Sequence, residues 1–148
     1  MKNILYSIKT GKVIILLLLI LCFFSCDEKQ NPVPNVYVDI LIPLNDPQYS
    51  SITVPGNFLY LTGGVNGILL IHTVDDQYKA YDRTCTYDPD CGTVSYNENT
   101  FRATDTVCCG SEFSMLVDGI VEQGPAEFPL KQYACIYNQN SNTLQIRN

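Results

Sequence analysis

The chain has 148 residues, 46% of them hydrophobic and only 16% charged, with seven cysteines, one histidine and no tryptophan. From Cys26 onward it holds all fifteen acidic residues but only six of the nine basic ones, a net charge of −9 on 123 residues. So acidic a chain has no electrostatic footprint for nucleic acid or for an anionic lipid surface, and its length past Cys26 suits one compact domain rather than two.

The N-terminus reads as a targeting segment. Lys2, Lys9 and Lys12 form a basic stretch without an acid, and residues 13–24 form an uncharged run dominated by Ile and Leu. That run is shorter than the roughly 20 residues a membrane span requires, and a basic flank before a short apolar segment marks a secretory signal. The run ends at Phe23-Phe24-Ser25-Cys26, a small residue before cysteine, the pattern cut by a lipoprotein signal peptidase. Residues 1–25 are therefore expected to be a signal peptide, with Cys26 the lipidation site. Residues 26–35 then form a flexible tether with Asp27-Glu28 and Asn31-Pro32-Val33-Pro34. This resembles lipoproteins of diderm bacteria in which acids after the lipidated cysteine direct the protein to the cell surface. The expected location is the cell envelope, lipid-anchored at the outer membrane and surface-exposed.

Residues 36–148 carry short runs rich in β-branched and aromatic residues: 36–42, 58–61, 67–72, 78–81, 93–96, 113–116, 132–137 and 143–146. Turn signals separate them at Pro55-Gly56-Asn57, Asn66-Gly67, Asp75-Asp76, Asp118-Gly119 and 138–142. No window past residue 30 has a 3.6-residue period. The expectation is an all-β domain of short antiparallel strands closed as a sandwich or barrel.

Besides Cys26, five cysteines remain in the mature chain. Cys85 and Cys91 form one loop cluster, Cys108 and Cys109 a second, and Cys135 lies in the run 132–137. In an exported chain such clusters read as disulfides, but two cysteine loops brought together also build metal and iron–sulfur sites.

The segment 78–87, Tyr-Lys-Ala-Tyr-Asp-Arg-Thr-Cys-Thr-Tyr, followed by Cys91-Gly92, resembles the first binding loop of Rieske iron–sulfur domains. Thr106-Val107-Cys108-Cys109-Gly110-Ser111 resembles the second. Asp118-Gly119-Ile120-Val121 and Gly124-Pro125-Ala126 with Phe128-Pro129-Leu130 are similar to later family segments, so the likeness runs from about 36 to 146. The resemblance implies a Rieske-like antiparallel fold. It also implies a cluster held by Cys-x-His and Cys-x-x-His, histidine raising its potential, and a disulfide between one further cysteine of each loop. Position by position, Cys85 matches the first ligand, Tyr87 replaces a histidine, Thr106 replaces a ligand cysteine and Cys109 replaces the second histidine. Cys91 and Cys108 match the disulfide pair. The one histidine, His72, reads as a half-buried strand residue thirteen positions before Cys85.

No [2Fe–2S] cluster and no other metal is therefore expected. Adjacent Cys108 and Cys109 would face opposite ways in an extended loop, poor for joint ligation. The signal also lacks arginine and so any twin-arginine route for a preloaded protein. A cysteine nucleophile would lack its base, so no enzyme is expected. The acids Asp75-Asp76 and Asp88, Asp90 read as turn residues. The resemblance implies the disulfides Cys91–Cys108 and Cys85–Cys109, with the crossed pairs Cys85–Cys108 and Cys91–Cys109 as the alternative and Cys135 a buried free thiol. The expected function is a non-enzymatic binding or structural module, partnered by the membrane through its lipid and by an envelope protein. The alternatives are an electron-transfer protein with unusual ligands, or a thiol–disulfide protein using Cys108 and Cys109.

Overall fold

The computed structural model describes residues 30–148. The expected signal peptide, the expected lipidation site Cys26 and the first residues of the expected tether lie outside the described residues.

Among the described residues, ten antiparallel strands make two sheets. The larger sheet has the order β1-β10-β9-β4-β3-β2, built from β1 (Asp39–Pro43), β2 (Phe58–Leu61), β3 (Ile68–His72), β4 (Tyr78–Asp82), β9 (Gln132–Asn138) and β10 (Thr143–Arg147). The smaller has the order β5-β6-β7-β8, built from β5 (Ser95–Asn97), β6 (Arg102–Thr104), β7 (Glu112–Ser114) and β8 (Ile120–Gln123). The fold is all-β, as the short runs and turn signals anticipate. Among the described residues the helical piece is a 3-10 turn, Pro47–Thr53, started by Asp46, whose side chain accepts from the Gln48 N–H. β6 and β8 were not anticipated. They are three and four residues long and bury little, so they carry no alternation to read.

Two cores share β3 as a wall. Successive strand residues point to opposite faces, so Leu69 and Ile71 enter one core with Tyr81, Val94, Phe113 and Leu130. Ile68 and Leu70 enter the other with Ile42, Ile52, Tyr133, Leu144 and Ile146. All five residues of β3 are buried, which explains why its sequence is continuously apolar rather than alternating. Each such side chain contributes about 1.5–3 kcal/mol on burial. The first core joins the two sheets and continues directly into Cys85 and Cys109.

Asp82, fully buried at the end of β4, ties the larger sheet to the turn at 63–67. One carboxylate oxygen accepts from the Val65 N–H and the Tyr133 hydroxyl, both at 2.7 Å. The other accepts from the Thr84 N–H at 2.9 Å and from the Thr84 hydroxyl. Gly64, at φ +64°, leaves room for this carboxylate, which a Cβ there would strike. Burial alone would raise the Asp82 pKa, but these hydrogen bonds outweigh it and hold the carboxyl below its ordinary value.

Residues 31–35, read from the sequence as tether, dock on the domain. Val33 is buried, and Asn31 donates to the Pro129 carbonyl at 3.0 Å. Lys131 reaches the Pro34 carbonyl and the Asn35 side chain.

Candidate functional site

Two loops meet at one end of the first core. Loop one, residues 83–94, leaves β4 directly after Asp82, whose bonds to Thr84 set its direction. Thr84 bridges Thr93, and the Cys85 N–H donates to the Gly92 carbonyl at 3.1 Å, closing the loop at its base. At its tip the Asp88 carbonyl accepts from the Cys91 and Gly92 N–H groups, so Asp88 is a turn residue, as its sequence suggests. Loop two, residues 105–111, runs from β6 to β7. The Asp105 N–H donates to the Ser111 carbonyl and the Gly110 N–H to the Asp105 carbonyl, with Gly110 at φ +68°. The segment resembling Gly-Pro-Ala lies under both: Thr86 donates to the Phe128 carbonyl at 2.6 Å, and the Ala126 N–H to the Ser111 hydroxyl at 3.0 Å.

A disulfide joins Cys91 to Cys108 and clamps the loops together. With Cys108 so engaged, the crossed pairing is absent, and Cys108 and Cys109 do not form a couple of their own. The adjacent cysteines diverge: Cys108 turns out to Cys91, while Cys109 turns inward. Cys109 and Cys85 come within 2.9 Å, sulfur to sulfur. The expected Cys85–Cys109 disulfide differs here, since both are free thiols in contact and a bond needs about 2.05 Å.

The replaced ligand positions Tyr87 and Thr106 are both exposed. Tyr87 is 57% exposed, and Thr106 is exposed on the edge of a cleft of about 480 Å³ lined also by Phe58, Tyr96 and Thr104. His72 belongs to β3. Its ring nitrogens lie 2.9 Å from the Ile52 carbonyl and 2.8 Å from Asp76, and it stacks on Tyr78. It is 2% exposed, more buried than the half-buried residue anticipated, because the 3-10 turn covers it. Cys135 is a free thiol packed against the second core, and burial pushes its pKa up to about 12.

Asp105, which sequence reasoning passed over, is the third member of the site. Its carboxylate is fully buried. One oxygen accepts from the Val107 and Cys108 N–H groups at 3.0 and 3.1 Å; the other lies 3.3 Å from the Cys109 nitrogen and 3.1 Å from its sulfur. Burial alone would raise its pKa, but the hydrogen bonds from the Cys109 thiol, these amides and the Cys85 thiol hold it below the ordinary carboxylate value. Gly92 makes the approach possible, since a Cβ there would collide with the Asp105 carboxylate. The only sequence signal is local: an acid whose side chain bonds backbone two and three residues on is a turn former. Burial, and next the hydrogen bond with Cys109, raise the Cys85 pKa, against which the Tyr87 and Asp88 N–H groups directed at its sulfur act. Cys85, Asp105 and Cys109 hold their donor atoms within 4.8 Å of one another.

These residues do not fit a [2Fe–2S] group. Such a centre needs two ligands on each iron, but two of the four positions are an exposed tyrosine and an exposed threonine. The remaining sulfurs are in contact rather than spaced around a two-iron core.

No protein-family model and no curated protein matches the chain. Among solved structures, the chain is similar to the plasma membrane Rieske protein PetC3 of the cyanobacterium Synechocystis PCC 6803. That match has 20% identity and a TM-score of 0.53 over 77% of this chain and 100% of that one. The ferredoxin of carbazole 1,9a-dioxygenase from Nocardioides aromaticivorans IC177 is more distant, at 10% identity and a TM-score of 0.45 over 63% of this chain and 86% of that one. The likeness to the cyanobacterial protein spans that protein from end to end and agrees with the two cysteine loops and their clamp. The chain has a Rieske-like fold.

Proposed function

We propose that the protein is a lipid-anchored component of the cell envelope whose Rieske-like domain carries no [2Fe–2S] cluster and acts as a non-enzymatic binding or structural module. The observation that carries the reading is the donor set: Tyr87 and Thr106 stand exposed where ligands would be required, and Cys85 touches Cys109. An electron-transfer role would need a redox centre that this set cannot ligate as the family does. The anchor rests on the basic, then apolar N-terminus ending at Ser25-Cys26, and on the acidic residues that follow. What holds the module together is then its two cores and the Cys91–Cys108 clamp.

The test uses the full chain purified from its own envelope. The expected result is a colourless protein with neither stoichiometric iron nor acid-labile sulfide. Visible absorption with two irons and two sulfides per chain, or a paramagnetic signal on reduction, would overturn the reading.

A further inference from the structure

We propose that Cys85, Cys109 and Asp105 together bind a single transition-metal ion, zinc(II) foremost, through two thiolates and one carboxylate. The proposal goes beyond the preceding reading and rests on one part of it, that no two-iron cluster occupies these loops.

The donor set selects the class of ion. Calcium and magnesium take oxygen ligands, whereas zinc accepts thiolate and carboxylate together in four-coordinate sites. The spacing is close to what zinc needs. Zn–S bonds of about 2.3 Å and a Zn–O bond of about 2.1 Å at tetrahedral angles set the sulfurs about 3.8 Å apart and sulfur about 3.6 Å from oxygen. The sulfurs are now 2.9 Å apart, and Cys109 lies 3.1 Å from Asp105. An opening of under about 1 Å therefore admits the ion. Cys85 is fully buried against the core, while Cys109 is only half-buried on its short loop, so Cys109 supplies that movement. On binding, the two thiol protons leave to solvent.

The surroundings are built for this. The amide and thiol donors already stabilise the Asp105 carboxylate, and a buried charge is further favoured by a charge partner. Among the described residues, no Lys, Arg or His forms an ion pair with Asp105. A cation between it and the sulfurs supplies that partner. Gly92 keeps the carboxylate's place clear. The Tyr87 and Asp88 N–H groups are directed at the Cys85 sulfur, and the Ser111 N–H lies 3.5 Å from the Cys109 sulfur, so each sulfur has backbone donors beside it. A Cys85–Cys109 disulfide accounts for the two sulfurs, but it takes both S–H donors away from Asp105 and gives the third donor no use. Three protein ligands leave the fourth position to water on the exposed side of Cys109, the arrangement of an open zinc site.

The experiment takes the full chain, gently reduced, and titrates it with zinc(II) against a chromophoric chelator and separately with cobalt(II). One equivalent is expected to bind, with cobalt giving thiolate charge-transfer absorption and the visible bands of a tetrahedral ion. Cys109→Ser is expected to weaken binding by at least about 100-fold, and Asp105→Asn by roughly 10–100-fold, while Cys135→Ser leaves it unchanged. Uptake of no metal, with Cys85 and Cys109 recovered as a disulfide by peptide mapping, overturns the proposal. So does binding that Cys109→Ser and Asp105→Asn leave intact, which would place the ion elsewhere. Two irons with inorganic sulfide would instead defeat the clusterless reading itself, a result distinct from the other two.

Discussion

Replacing Asp82 by asparagine tests whether one buried carboxylate joins the larger sheet to the site. The change keeps the shape but turns one acceptor oxygen into an NH2 group. Whichever way the amide is oriented, it then faces at least two former donors. These are the Val65 N–H and Tyr133 hydroxyl on one side, or the Thr84 N–H and hydroxyl with the more distant Asn66 N–H on the other. Tyrosine or threonine hydroxyls can rotate to accept, but a backbone N–H cannot. At least one buried donor is thus left unsatisfied at about 1–3 kcal/mol, and bonds to a charged acceptor worth about 1.5–3 kcal/mol are lost. A net loss of about 3 kcal/mol is expected, read as a lower urea midpoint at unchanged slope. The sign with pH follows from the depressed pKa of Asp82. The folded form binds the proton less readily than the unfolded one, so the charged carboxylate's contribution is complete above the unfolded pKa and fades as pH falls through the folded one. The gap between wild type and Asp82→Asn therefore narrows in acid. A loss below about 1 kcal/mol at neutral pH, or a gap that widens in acid, refutes the reasoning.

Removing the clamp by replacing both Cys91 and Cys108 with alanine frees a loop of sequence separation 17 and is expected to cost about 3 kcal/mol in the chain-entropy picture. Unchanged thermal unfolding would show that the bond does not constrain the loops. Among the described residues the buried Tyr81 hydroxyl has no hydrogen-bond partner, so Tyr81→Phe is expected to leave stability unchanged or raise it by about 1 kcal/mol. A loss of that size in denaturant melts would reveal a partner. Cys26→Ala is expected to yield an unprocessed precursor, and fatty-acid labelling of that variant would sink the lipidation reading.

Much of the architecture is written locally. The apolar run of β3, the alternation in β10 and the turns at Asn66-Gly67 and Asp118-Gly119 each depend on neighbours a few residues away, and all are legible from the chain. The cysteine loops were legible through their order and resemblance. The short strands β6 and β8 were not, because their pairing comes from β7 between them rather than from a pattern of their own. Val33 reads as part of a polar, proline-bearing segment, yet it is buried where its neighbours Asn31 and Pro34 bond Pro129 and Lys131, nearly a hundred positions away.

The site divides in the same way. Sequence alone determined which residue types stand at the cluster positions, and so that histidine is missing from both loops. Only the tertiary structure decided that Cys108 turns outward to Cys91 while Cys109 meets Cys85, since adjacent residues of one loop differ only in the direction the loop gives them. It also decided that Asp105 lies beside both sulfurs. An aspartate at a strand end reads as a solvated turn residue until another loop, with Gly92 at the point of contact, closes over it and makes its charge a buried one.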